Sequence, residues 1–178
     1  MKRLHVIGRK NHGKTTLVVD LIEELVGRGL RVGTVKHTHH RHELDVPGKD
    51  SHRHREAGAA VVGVLSGGLS AVFIPTSDAA PGSGDRYAAL APAFVGCDLV
   101  LVEGDSEATA PKIEVWRRAV GGDPYASKDA GVLAVVSDDT PDVATPLLSR
   151  SNVPAIADWI LARTELQESL NLGQAPSQ

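Results

Sequence analysis

Gly8-Arg9-Lys10-Asn11-His12-Gly13-Lys14-Thr15 matches the pattern G-x-x-x-x-G-K-S/T and lies between the apolar run 4–7 and an amphipathic stretch. A strand, a glycine-rich turn and a helix in that order are the context a phosphate-binding P-loop requires. The glycines let successive N–H groups converge on one oxyanion. The following helix turns its unsatisfied N–H groups and positive dipole end to the same phosphates. Lys14 is placed to reach the β- and γ-phosphates, and the Thr15 hydroxyl to complete a magnesium shell. A chance match in a glycine-rich turn would lack the flanking strand and helix.

The chain of 178 residues, 42% hydrophobic and 23% charged, has the size and composition of one globular domain. We expect a single nucleotide-binding domain over 1–164 and a polar tail over 165–178. No apolar run nears the roughly 20 residues that span a bilayer, and residues 1–3 lead directly into a strand. One cysteine, Cys97, suits a reducing compartment, so the expected location is the cytoplasm, away from membranes. Residues 1–56 hold 12 of the 19 Lys+Arg, 7 of the 22 Asp+Glu and all eight histidines. A basic, His-rich N-terminal third suits phosphorylated ligands. An aromatic content of 3% offers few stacking platforms for nucleic acid.

Hydrophobic periodicity supplies the remaining elements. Leu17, Val18, Leu21, Ile22, Leu25 and Val26 share one helical face, and the glycines at 27 and 29 end that helix. Residues 31–36 form the next strand, which completes a right-handed βαβ unit. Asp50 or Ser51 caps a short helix that reaches about residue 59. The runs 61–65 and 70–74 read as a hairpin added to one edge of the parallel sheet. Residues 86–95 are helical, with Pro92 as a break. Strands follow at 99–102, 112–116 and 132–136, the last clear one. Asn152 and Pro154 open a final helix to about 163, in which Trp159 is a core residue. The fold class is α/β: a three-layer P-loop NTPase, mainly parallel, with helices on both faces.

In open parallel sheets, ligands gather at the carboxyl ends of strands. The second strand is followed there by Lys36, His37, Thr38, His39 and His40, the strand at 99–102 by Glu103 and Gly104, and the last by Ser137, Asp138 and Asp139. Glu103 occupies the place of an acid that holds magnesium or orients water. Gly104 permits close backbone approach. The histidine cluster fits phosphate or pterin contact better than zinc, because the fixed offsets of a closed zinc site are absent. Asp45 and Lys49 lie in a segment that could respond to γ-phosphate and magnesium. No Asn-Lys-x-Asp sequence occurs. Asp138 could instead accept from guanine N1–H and N2–H.

The segments GRKNHGKTTL, VGTVKHTHH, DVPGKDSHRHREAGA, DLVLVEG, PKIEVWR and VVSDD, in order from Gly8 to Asp139, together resemble the molybdopterin-guanine dinucleotide biosynthesis adapter (MobB) family. The P-loop is generic; the KHTHH and PGKDS pair is specific. The resemblance implies GTP and Mg2+ as ligands, a homodimer, and at most slow GTP hydrolysis. It also implies partnership with a MobA-type molybdopterin guanylyltransferase and with molybdopterin or its guanine dinucleotide form. Gly8, Asn11, His12, Gly13, Lys14, Thr15 and Thr16 would then hold the nucleotide, with Lys14 and Glu103 as the catalytic pair. Thr15, Glu103 and Asp45 would hold magnesium, with Gly104 and Asp138 beside the ligand. His37, His39, His40, Asp45, Lys49 and Arg55 would meet phosphate, pterin or partner. Asp105-Ser106 stands where the family commonly has an aromatic residue and a lysine. Arg9, a cation inside the loop, is expected to touch nucleotide phosphate, within the chain or across a dimer. The alternatives are an ATP-dependent small-molecule kinase or ligase and a nickel- or zinc-delivering GTPase.

Overall fold

The computed structural model describes residues 1–38, 43–75 and 87–163. By their internal contacts the residues fall into two compact units, Met1–Thr38 with Ala93–Gln178, and His39–Pro92.

The first unit is built on a six-stranded sheet in the order β2-β5-β1-β6-β7-β8. Its strands are β1 (Arg3–Ile7), β2 (Val32–Lys36), β5 (Leu99–Glu103), β6 (Lys112–Val115), β7 (Val132–Val136) and β8 (Leu147–Leu148). Every neighbouring pair is parallel. The two-residue edge strand β8 is an addition to the sequence reading, too short to show a period. The register sets Glu103 against both Val6 and Lys36, which brings the ends of β1, β2 and β5 together.

Alternation sorts the strand residues onto two faces. Leu4, Val6, Leu99, Leu101, Ile113, Val115, Ala134 and Val136 join α1 (Lys14–Gly27) and α3 (Val153–Leu161) in one apolar cluster. Each fully buried leucine there contributes about 1.5–3 kcal/mol. The other face buries His5, Lys112 and Glu114, and loops supply each with a partner. His5 Nδ1 donates to Gly104 O (3.3 Å). Lys112 Nζ donates to Asp129 Oδ2 (2.6 Å) and Ser106 O (3.0 Å). The Glu114 carboxylate accepts from the N–H groups of Tyr125 (2.8 Å) and Ala126 (2.9 Å). Burial still pushes the Glu114 carboxyl above its usual range. Without these partners each buried charge would be strongly unfavourable.

α1 buries Leu17, Val18, Leu21 and Leu25, while Val26, in its last turn, is exposed. Gly29, at φ 87°, turns the chain out of the helix. α3 is capped by Asn152, whose side chain accepts from Ala155 N (3.2 Å), with Pro154 in its first turn. Trp159 packs against the core and lies under the Arg163 guanidinium, 4.1 Å from its ring centroid.

The second unit contains α2 (Asp50–Glu56) and a hairpin of β3 (Val62–Leu65) and β4 (Ser70–Phe73). Lys49, not Asp50 or Ser51, is at the cap position of α2, and no side chain caps the helix. Asp50 instead occupies the first turn, where its charge complements the helix dipole, and the Ser51 hydroxyl donates to Asp45 Oδ1 (2.9 Å). The hairpin forms a two-stranded sheet of its own rather than an edge of the larger one. Ser66 closes its turn by donating from N (3.0 Å) and Oγ (2.8 Å) to Leu69 O. Residues Ala88–Phe94 form a 3-10 helix, since Pro92 has no N–H for an α-helical ladder.

Candidate functional site

The P-loop spans the end of β1 and the start of α1. Gly8 lies at φ 142°, and a Cβ there would sit 2.4 Å from the Val115 carbonyl oxygen of β6. Only glycine allows the loop to approach β6 this closely. Asn11 (φ 68°) and Gly13 (φ 94°) supply the left-handed turns. Gly13 is the N-cap of α1 and offers no side chain to cap it, so the first N–H groups of α1 are available to an anion.

Lys14 Nζ donates to Arg9 O (2.8 Å), across its own loop. Burial lowers its pKa, Glu103 opposes that shift and Lys36 adds to it. A polyphosphate would restore the lysine's charge preference. Thr15 Oγ1 donates to Glu103 Oε1 (2.7 Å), and Lys36 Nζ lies 3.5 Å from the same oxygen. Two cis ligands of an octahedral magnesium at about 2.1 Å are separated by about 3.0 Å. The hydroxyl and the carboxylate therefore fit such an ion, with hard oxygen donors and a lysine drawn to the same oxygen. Magnesium held there by Thr15 and Glu103 would neutralise phosphate charge.

Gly104 (φ 97°) and Asp105 (φ 60°) turn the chain sharply after β5. His37 N donates to Glu103 O (2.9 Å), so the end of β2 follows β5 into the site. A Cβ at Gly104 would come within 3.1 Å of His37 O. Lys14, Thr15, Lys36, His37, Glu103 and Gly104 are thus gathered at one end of the sheet.

Two P-loop side chains turn away from the loop's anion-binding concavity. His12 is buried, and its Nδ1 accepts from Arg117 N (3.0 Å). Burial lowers its pKa against the raising effect of the Gly121 carbonyl, and Lys14, Arg9 and Arg117 lower it further. Because Nδ1 accepts the Arg117 N–H, the ring carries its proton on Nε2. Arg9 donates to Asp123 O (3.4 Å) and sits 5.3 Å from the Tyr125 ring centroid. Its guanidinium is thus engaged by the segment after β6.

In the second unit, Asp45 accepts from Ser51 Oγ and from Val46 N (2.8 Å), and its buried Oδ2 has no hydrogen-bond partner among the described residues. Arg55 is paired with Glu43 (2.6 Å), and hydrogen bonding to the Asp45 N–H and Arg55 holds the Glu43 carboxyl below its ordinary range. Lys49 is exposed. His39 and His40 lie outside the described residues.

On the other side of the P-loop a cavity of about 290 Å3 is lined by Gly13, Thr16, Arg117, Asp138, Asp139 and Arg150, together with His12 and Trp116. Arg150 is held by Asp20 (2.5 Å), and Trp116 Nε1 donates to Gly122 O (2.9 Å). Trp116, Arg117 and Arg150 are absent from the sequence-based site. Trp116 and Arg117 follow β6, so the carboxyl-end rule applied to that strand would have found them. Arg150 carries no local signal.

Residues 3–138 match the model of the molybdopterin guanine dinucleotide synthesis protein B family, MobB. The chain belongs to the MobB family. It is similar to the molybdopterin-guanine dinucleotide biosynthesis adapter protein of Haemophilus influenzae, at 38% identity over 88% of this chain and 86% of that one. The protein of the same description from Escherichia coli K12 is 37% identical over 84% and 85%. Among solved structures, the MobB homolog from Bacillus stearothermophilus superposes with a TM-score of 0.63 at 25% identity, covering 94% of this chain and 99% of that one. The mainly parallel sheet with a P-loop after β1 is thus the MobB architecture.

Proposed function

We propose that this chain is a GTP-binding adapter in molybdenum cofactor biosynthesis, assisting the conversion of molybdopterin to molybdopterin guanine dinucleotide. One observation carries the nucleotide part of the reading. Lys14, Thr15, Lys36 and Glu103 converge at the open N-terminus of α1, with Thr15 and Glu103 2.7 Å apart. That geometry serves a Mg2+-bound triphosphate. The family supports the rest: a MobA-type guanylyltransferase as protein partner, molybdopterin or its dinucleotide as the pterin ligand, and the cytoplasm as location. Residues 1–164 act in this reading as one nucleotide-binding domain. A homodimer is part of it, supported by Leu65, Leu69 and Val72, which leave the hairpin of the second unit with an exposed apolar surface. Among the described residues no helix is long and apolar enough to cross a membrane. Nor do they include a group of three or more His, Cys, Asp or Glu able to hold a metal ion.

The test is reconstitution. Purified guanylyltransferase, molybdopterin, GTP and Mg2+ should yield more dinucleotide when this chain is added, and Thr15→Val with Glu103→Ala should remove the gain. Equal yield with and without the wild-type chain, under conditions where the transferase is limiting, would end the proposal.

A further inference from the structure

Guanine presents two adjacent donors, N1–H and N2–H, on its pairing edge, where adenine presents one donor and one acceptor. A protein that selects guanine needs two acceptors side by side, which a carboxylate provides if both oxygens have capacity. Two carboxylates, Asp138 and Asp139, line the cavity beside the P-loop. At about 290 Å3 it lies just below the usual range of about 300–1,000 Å3 for ligand pockets. It suits the nucleoside end of a nucleotide whose phosphates lie in the adjoining loop.

The two acids are not equivalent. Asp138 Oδ1 accepts from Ser149 Oγ (2.8 Å) and Ser151 N (2.9 Å), so both its lone pairs are used. These bonds clasp the turn that leads into α3, and they hold the Asp138 carboxyl below its ordinary range. Asp139 accepts one bond, at Oδ2 from Arg118 N (2.8 Å). Its own N–H donates to Ser137 Oγ (3.0 Å), which fixes its backbone. The Arg118 guanidinium goes to Thr140 O (3.0 Å) instead, so a backbone N–H orients Asp139, and among the described residues no side-chain cation pairs with it. Among the described residues Oδ1 of Asp139 accepts no hydrogen bond, and Oδ2 keeps one lone pair. Arg117, whose backbone N–H donates to His12 Nδ1, and Arg150, whose guanidinium is held by Asp20, flank the same space. Planar guanidinium groups are suited to stack on a purine.

We propose that Asp139, and not Asp138, is the carboxylate that selects guanine, in a nucleoside subsite flanked by Arg117 and Arg150. The assignment rests on the GTP reading above and names the residue that gives that site its base preference.

The experiment measures binding of GTP, ATP and xanthosine triphosphate, with Mg2+, to the wild-type chain, Asp139→Asn, Asp138→Asn and Asp139→Ala. Xanthine carries N1–H beside a C2 carbonyl, which matches the amide of asparagine. Asp139→Asn should lose about ten- to a hundredfold in GTP affinity and gain affinity for xanthosine triphosphate, a gain that unfolding cannot produce. Asp139→Ala should bind GTP and ATP alike, and Asp138→Asn should keep the preference for GTP while melting at lower temperature. A switch to xanthosine triphosphate in Asp138→Asn, or an unchanged GTP-to-ATP ratio in both Asp139 variants, would overturn the assignment. A wild-type chain that binds ATP as well as GTP would overturn the GTP reading itself, and is distinguishable from failure at Asp139 alone.

Discussion

The substitution Gly8→Ala tests whether the P-loop is positioned by its contact with β6. At φ 142° Gly8 occupies backbone space that L-residues avoid, a strain of about 1–3 kcal/mol. The new methyl would also lie 2.4 Å from Val115 O. Relieving that overlap by moving the loop or the strand costs about another 1–3 kcal/mol. Gly13→Ala is the matched control. It too has a positive φ, but no atom lies within 4 Å of a Cβ built there, so its cost is the left-handed strain alone, about 1–2 kcal/mol. Gly8→Ala should therefore be the less stable variant by about 1–4 kcal/mol, or at least about 2 °C in melting temperature for a chain of this size. Thermal unfolding followed by circular dichroism measures both. If Gly8→Ala melts at or above Gly13→Ala, the close approach to β6 is not what fixes the loop, and the positional argument fails.

Burial holds His5 and His12 below their ordinary pKa of 6.5. As pH falls through about 6.5 the unfolded chain takes up protons that these residues resist in the fold, so stability falls with acidity. His12→Asn keeps an acceptor for Arg117 N without a titrating ring and should flatten the fall between about pH 7.5 and 6. Glu114, shifted upward, acts in the opposite direction at lower pH, so the informative comparison is variant against wild type in urea titrations. Asp129→Ala should destabilise the fold by about 1–3 kcal/mol, below the usual figure for breaking a buried pair because the Asp129 side chain is 37% exposed. Adding Lys112→Met should recover most of that loss in a double-mutant cycle; no recovery would mean that Asp129 acts independently of Lys112.

What could be read from the sequence was local. The P-loop, the apolar runs of β1, β5 and β7 and the Asn152 cap each depend on neighbours within a few residues. Glu103 was legible because a strand's end is a local event and the carboxyl-end rule is general. The partners of His5, Lys112 and Glu114 were not, because polar residues on alternate strand positions read equally well as a solvated face. Their burial depends on Asp129, Tyr125 and Ala126, more than ten residues along the chain from Lys112 and Glu114. Asp138 looked like a base reader from its place after β7. Only the fold shows that Ser149 and Ser151 already occupy one of its oxygens. The pairing of Arg55 with Glu43, twelve residues away, was equally invisible in the sequence.

The central claim is that residues 8–16 with Glu103 form a Mg2+-dependent GTP site. Isothermal titration of the full chain with GTP and ATP, with and without Mg2+, tests it most directly, with Lys14→Ala as control. The account predicts GTP binding that strengthens with Mg2+, exceeds ATP binding, and weakens about tenfold or more in Lys14→Ala, the loss of a charge-assisted contact of about 1.5–3 kcal/mol. Equal affinity for the two nucleotides, or a Lys14→Ala variant that binds GTP as the wild type does, would contradict it.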